Sequence, residues 1–521
     1  MSRPSLRALF STFSLLVFAV SLRAQAPEPI QAPPPAIKSN QQTAMANSVA
    51  PAGQLLTLEE CIARAMQKNF DLQIQSFSTA NAKEQLNIAK AGFEPILTLS
   101  TERSVTQQSA TTSTITGTTG AVGPRVDSTD TRAGVTQNIS ATNATAQLST
   151  SLTRDANNYS NSLINPVYRS DVVLAVTQPL LHGAGRTFAR SAIERSKLGV
   201  GIANLTFKGS VLSVVRNTET AYYNLGYTRA NLLVRQHSLE LAQKLYDENK
   251  ARKASGVATD LDVATAEVGV ETARNNVLLA EQAVRNSEDT LLNLIGQFEF
   301  DHRPGPVQFS DFSESLPTFD LSYKLARDNF PDYLAQQETI KQYTIDVATA
   351  KRSKLPTLNL DGALGYNGQN RSYGSAINDV PEGKGYSWNL GLSLSVPWGL
   401  HADRARYRIA NNNLHQQESF LQQLDQDLVV NVRTAVRSVQ VNVQSVAISA
   451  KSTELSEKQY QLQKARFDAG LATSRQVLEA QDTLESARVS ELQAKVALHN
   501  AVSELRRLET SSLGRYRIVL P

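Results

Sequence analysis

One cysteine, Cys61, stands among 521 residues, so no intrachain disulfide can form and a CxxC metal or redox site is excluded. Aromatic residues make up 6% of the chain and charged residues 19%, a lean supply for one large conventional core. An elongated molecule fits better. No charge of one sign dominates either: a net +4 is spread over interspersed Lys, Arg, Asp and Glu, without the basic stripe that neutralises phosphates. Nucleic acid is not an expected partner. Past the N-terminal region no stretch approaches the ~20 consecutive apolar residues of a helical membrane span, so a membrane location would require a β-barrel. The six histidines, His182, His237, His302, His401, His415 and His499, are scattered without HExxH or paired-ligand spacing. There is no G-x-S-x-G and no P-loop, and Gly183-Ala184-Gly185 lacks the third glycine of a dinucleotide loop. No active site, metal or cofactor is expected.

What is present begins with Arg3 and Arg7, the apolar run Leu9 to Leu22, and Ala24-Gln25-Ala26, which together read as a secretory signal over residues 1–26. No cysteine stands directly after that run, where Gln25 and Ala26 lie instead, so a lipid-free mature N-terminus is expected. Residues 27–54, rich in Pro, Ala and Gln, read as an extended lead-in.

Most informative is self-similarity. Leu58 to Phe70 and then Pro95-Ile96-Leu97-Thr98-Leu99 recur as Phe319 to Phe330 and then Pro356-Thr357-Leu358-Asn359-Leu360. Val176-Thr177-Gln178-Pro179-Leu180 recurs as Leu394-Ser395-Val396-Pro397-Trp398. Tyr246, Ala251, Arg252, Gly256, Ala258, Thr259 and Val263 match Tyr460, Ala465, Arg466, Gly470, Ala472, Thr473 and Val477 at a constant offset, 470 − 256 = 214. Two repeats, 55–296 and 317–509, therefore each read helix, strand, loop, strand, long helix, turn, helix. Residues 297–316 form a linker, and the tail 510–521 has no repeat partner.

From His401 to Ala469 there is neither Gly nor Pro, which permits one helix roughly 100 Å long at ~1.5 Å per residue. So long a helix needs a coiled-coil partner. Leu428, Val432, Ala435, Val439, Val443, Val446 and Ala450 supply a seam stepping by fours and threes. Leu225, Leu232, Leu239 and Tyr246, and across the turn Val263, Val270, Val277, Val284 and Leu291, recur every seven residues; Val477, Leu484, Leu498 and Leu505 keep that register. Gly256 and Gly470 mark the turns, with Thr259 and Ser474 as candidate caps of the following helices.

Trp388, Leu390, Leu392, Leu394, Val396 and Trp398 alternate with small or polar residues, which predicts a strand between two solvents with aromatics at both ends. Leu358, Leu360, Leu364 and Tyr366 repeat the alternation; Val172, Leu174 and Val176 do so over a shorter stretch. Two strands per repeat give four per chain. A four-stranded sheet in lipid leaves edge amides and carbonyls unsatisfied, so copies must close the barrel. Three copies give about twelve strands and two give eight, and both counts reach the ~8 of the smallest bacterial barrels. Gly134 to Leu152 alternates in part and is expected to form an external hairpin outside the barrel.

Gln178-Pro179-Leu180-Leu181 with Gly183 and Gly185-Arg186, and Arg466-Phe467-Asp468-Ala469-Gly470, together with the duplication, resemble the TolC-like outer-membrane factor family over about Leu55 to Glu509. The resemblance implies a mixed α and β membrane protein whose duplicated halves form part of an outer-membrane β-barrel plus a long periplasmic coiled-coil α-barrel. It further implies a homotrimer with a twelve-stranded barrel in outer-membrane lipid, docked on a periplasmic adaptor and an inner-membrane pump. By the same resemblance Asp262, Gln476 and Glu479 are candidate gate residues, with Gln476 departing from the family's acidic pattern. Ser255, Gly256, Val257, Ala469, Gly470 and Leu471 are candidate docking turns, and Trp388 and Trp398 are candidate interface aromatics. Two other classes remain: a periplasmic coiled-coil adaptor or scaffold, and a secreted fibrous adhesin.

Overall fold

The computed structural model describes residues 56–109, 125–158, 162–296, 305, 307, 316–383 and 385–520. The expected signal, 1–26, and lead-in, 27–54, lie outside these residues. So does the linker 297–316, apart from Gly305, Val307 and Leu316. The first repeat runs α1 (Leu58–Lys68), α2 (Phe70–Ala91), β1 (Ile96–Gln107), β2 (Arg125–Ile139), β3 (Ala144–Asn157), β4 (Val167–Pro179), α3 (Arg186–Ala189), α4 (Ser191–Ala254) and α5 (Asp260–Leu294). The second runs α6 (Phe319–Asn329), α7 (Pro331–Ser353), β5 (Thr357–Asn370), α8 (Tyr373–Asp379), β6 (Gly385–Ser395), α9 (His401–Asp468) and α10 (Ser474–Glu509), and is followed by α11 (Ser511–Arg515).

The chain divides into two compact units that cut across the repeats, because strands from both repeats pair in one sheet. One unit holds residues 82–200 and 339–418, and therefore the whole sheet. Its strands follow chain order, β1-β2-β3-β4-β5-β6, and all are antiparallel. The expectation of four strands and an external hairpin is corrected here. Residues 134–152 are not an excursion but the paired strands β2 and β3, with Leu97 opposite Val135, Val135 opposite Leu148, and Leu148 opposite Leu174. The clearest alternation, in β6, is shifted as well: that strand spans Gly385–Ser395, and Trp398 lies three residues past its end. Pro397 has no N–H to donate, so the ladder cannot continue through it. Leu99, Leu390, Leu392, Leu394 and Trp388 are all more than 60% exposed, so nothing among the described residues covers this apolar surface.

The second unit is helical and carries the buried cores. α9 runs unbroken, as the absence of Gly and Pro requires, and its Leu428, Val432, Ala435, Val436 and Val439 pack with Leu498, Val502, Leu505 and Leu508 of α10. In the first repeat Val211, Val214, Val215, Leu225 and Leu291 pack around Cys61, Ile62, Ala65 and Met66 of α1. Burial pushes the Cys61 thiol up to about 12, so it is an inert core residue. By length and composition α4 is the one described helix apolar enough to cross a membrane. Its Val211, Leu212, Val214 and Val215 are buried, although only 28% of its most apolar stretch is. The tail is not a loose end: Leu513, Tyr516, Ile518 and Leu520 pack on the core of the first repeat, and the Tyr516 hydroxyl donates to the fully buried Glu219 carboxylate.

Candidate functional site

The two helical turns are built alike. At the first, the Gly256 N–H donates to the Lys253 carbonyl and the Val257 N–H to the Arg252 carbonyl; at the second, Gly470 donates to Phe467 and Leu471 to Arg466. This bonding closes a helix only if the residue past its end is left-handed. Gly256 has φ +72° and Gly470 φ +75°, where a Cβ would be strained. Ser255, Gly256, Val257, Ala469, Gly470 and Leu471 are all exposed, and neither glycine has a neighbour within contact of an added Cβ. Val257 and Leu471 thus offer two bare apolar side chains at equivalent places.

Each turn is followed by a reciprocal cap. The Thr259 hydroxyl accepts from the Asp262 N–H, while the Asp262 carboxylate accepts from the Thr259 N–H at 2.9 Å and from its hydroxyl at 2.7 Å. Those two hydrogen bonds hold the Asp262 carboxyl below the usual carboxylate range. At the second turn Thr473 and Gln476 make the same box, the Thr473 N–H donating to Gln476 Oε1 at 3.0 Å. The cap there is therefore Thr473, not Ser474 as its position suggested; 259 + 214 = 473 was the better guide. Ser474 is buried instead, and its hydroxyl lies 2.6 Å from Asn249 Oδ1.

Of the candidate gate residues, Asp262 and Gln476 occupy duplicate positions and both turn back onto their own helix start. Glu479 stands one turn further along, exposed, and accepts from Arg475 Nε at 3.0 Å. With burial, its charge raises the nearby Asp482 carboxyl. Sequence reasoning missed the groups that tie the two hairpins together. The Arg252 guanidinium lies 3.9 Å from the Phe467 ring centroid and donates to the Phe467 carbonyl at 3.0 Å. Lys464 pairs with Glu248. Deeper in, Glu485 is paired with Arg235 and accepts from Ser238, while Gln481 Nε2 donates to the Ser238 carbonyl at 2.9 Å. The first two links join residues 215 and 216 positions apart, close to the repeat offset, which is the one signal that could have suggested them; the deeper links, 243 to 250 apart, had no such signal.

Trp388 and Trp398 are both bare, the first inside β6 and the second beyond it. Among the described residues no group of three His, Cys, Asp or Glu side chains could hold a metal ion.

Two stretches, residues 61–297 and 322–509, match the outer membrane efflux protein family and take in both hairpins and the whole sheet. The chain belongs to that family. Its location is accordingly the outer membrane. Among curated relatives of this efflux family, it is 24% identical over 318 residues to the toxin and drug export protein A of Aggregatibacter actinomycetemcomitans, 59% of this chain and 65% of that one. It is 25% identical over 335 residues to the pyoverdine export outer membrane protein OpmQ of Pseudomonas aeruginosa, 61% of this chain and 66% of that one. Just under two thirds of each relative's length is thus matched. Among solved structures, the CmeC outer membrane channel of Campylobacter jejuni superposes with a TM-score of 0.63 at 17% identity, over 88% of this chain and 89% of that one. At that identity the likeness establishes the fold alone, a mixed α and β architecture of β-barrel strands and long barrel helices.

Proposed function

We propose that this chain is one subunit of a trimeric outer-membrane exit duct, a passive conduit for a tripartite efflux pump or a type I secretion system. One observation carries the reading: a sheet with one bare apolar face ends at two unpaired edge strands, so a single chain cannot satisfy it in lipid. Sister copies complete the wall. No chemistry is required of the duct itself, because an inner-membrane pump supplies the energy and the channel opens at its helical turns.

In this reading a periplasmic adaptor grips the exposed turns at Ser255-Gly256-Val257 and Ala469-Gly470-Leu471, where the lack of bulk allows close approach. Asp262 and Glu479 supply negative charge near the mouth, and Gln476 makes that ring weaker than a fully acidic one. Trp388 and Trp398 sit at the lipid interface. Purified protein in planar bilayers should conduct ions, and Asp262→Lys with Glu479→Lys should reduce cation preference. A protein that stays a soluble monomer and never conducts ends the proposal; normal conductance with unchanged selectivity removes only the two acidic residues from it.

A further inference from the structure

We propose that each chain contributes six strands to the barrel wall rather than four, so that the trimer encloses eighteen, with β1 of one copy meeting β6 of the next. The trimer count rests on the reading under Proposed function; the six-strand wall rests on the sheet alone.

Register decides which side chains share a face. Residues directly opposite in an antiparallel ladder point the same way, and every second residue along a strand does too. From Leu390 and Trp388 of β6 the pairing leads to Gly362 and Leu364 of β5, to Val176 and Leu174 of β4, and to Ala146 and Leu148 of β3. Leu148 leads on to Val135 of β2 and Leu97 of β1, and Ala133 paired with Leu99, two residues along, shares that face. One largely apolar face thus crosses all six strands, with Gln178, Gln137 and Thr150 as the polar residues among these positions. The opposite face carries Asn359 and Asp361 of β5, Gln147, Ser149 and Ser151 of β3, Thr136 and Arg132 of β2, and Thr98 and Ser100 of β1. β2 and β3 therefore repeat, strand for strand, the two-solvent pattern of their neighbours. A hairpin folded away in water has no reason to hold that register.

The turn between β2 and β3 is also built into the wall. Asn143, at φ +64°, donates from Nδ2 to the Gly183 carbonyl at 2.9 Å. The Gly185 N–H and Gln178 Nε2 both donate to the Thr142 carbonyl, each at 3.2 Å. Gln178, Gly183 and Gly185 belong to the segment that leaves β4, so the exit from the sheet is shaped around this hairpin. Wall size follows strand number. With strands about 4.8 Å apart and tilted about 40°, eighteen enclose a cylinder about 36 Å across between backbones, against about 24 Å for twelve. The barrel would then admit cargo too wide for a twelve-stranded one.

Single cysteines report the faces. Cys61 is fully buried, so an introduced thiol is the one that takes a bimane label. Ala133→Cys, Val135→Cys and Leu148→Cys, in full-length protein reconstituted into phosphatidylcholine vesicles, should lose fluorescence to doxyl-labelled lipid and not to aqueous iodide. Thr136→Cys and Ser149→Cys should do the reverse. Leu392→Cys in β6 is the reference for the membrane reading itself. If Leu392→Cys is quenched by lipid while the β2 and β3 positions are quenched by iodide, the six-strand wall is overturned and the duct survives. Iodide quenching of Leu392→Cys as well overturns both. Should a bulky-site variant fail to assemble, Ala133→Cys and Ala146→Cys change little volume and decide the matter. A native mass of three chains supports eighteen strands, and any other count overturns that number.

Discussion

Arg252 stacks on Phe467 and hydrogen-bonds its carbonyl, so the last turn of one hairpin's first helix is clamped to the corresponding turn of the other. The duplicate of Arg252 is Arg466, the neighbour of Phe467, so the clamp joins near-equivalent points of the two repeats. A guanidinium over an aromatic face contributes about 0.5–2 kcal/mol, and a tenfold change in an equilibrium takes about 1.4 kcal/mol.

Arg252→Ala should therefore raise the open fraction of single channels by roughly tenfold if the clamp belongs to the closed state. Arg252→Lys, which loses the planar stack but keeps the charge, should fall between. Identical gating in all three proteins would show that the clamp is only scaffolding.

Asp262→Gln copies into the first turn what Gln476 already does in the second. It should keep the capping box and the fold while lowering cation preference. Thr259→Ala should have the opposite profile, keeping the charge and costing about 1 kcal/mol of helix stability. Thermal unfolding alongside reversal potentials separates the two, and equal effects on both readouts would discard the distinction.

The turns should also differ in acid. Because the Asp262 pKa is lowered in the folded chain, its cap stabilises fully above the ordinary carboxylate value of about 3.9 and is lost as pH falls through the lower folded value. The Thr473–Gln476 cap has no such group. Hydrogen exchange, corrected for intrinsic rates, should show residues 255–262 loosening in that window while residues 469–476 do not, and Asp262→Gln should abolish the difference.

Tyr516→Phe removes the donor that serves Glu219, a carboxylate with no exposure. Leaving a buried acceptor unserved costs about 1–3 kcal/mol, more when it is charged. Burial and the Glu219 charge push the Tyr516 hydroxyl above the ordinary tyrosine value, so it remains the donor at neutral pH. Tyr516→Phe should lower the unfolding midpoint, and Glu219→Gln should restore part of the loss in a double-mutant cycle.

Helices and turns were legible because their signals are local: a seven-residue apolar step, a glycine where φ must be positive, and no breaker between His401 and Asp468. Duplication extended that reading, and it located Thr473 better than cap preference did. β2 and β3 were underestimated for a physical reason. Their apolar-face residues are Ala133, Val135, Ala146 and Leu148 rather than the Leu and Trp ladder of β6, and pairing partners are not visible in a single strand. Arg252 with Phe467, and Tyr516 with Glu219, were invisible for a related reason: one joins two helices and the other joins the tail to a helix, and single-chain periodicity assigns faces without naming what they meet.

The hairpin between β1 and β4 has a bearing on how such walls change size. β1 enters the sheet, and β4 leaves it, at the end where β2 turns into β3. A ladder lengthened by one strand would send the outgoing chain to the opposite rim and strand the helices that follow it. Growth in pairs avoids this, so circumference can rise in even steps while every downstream segment keeps its departure point.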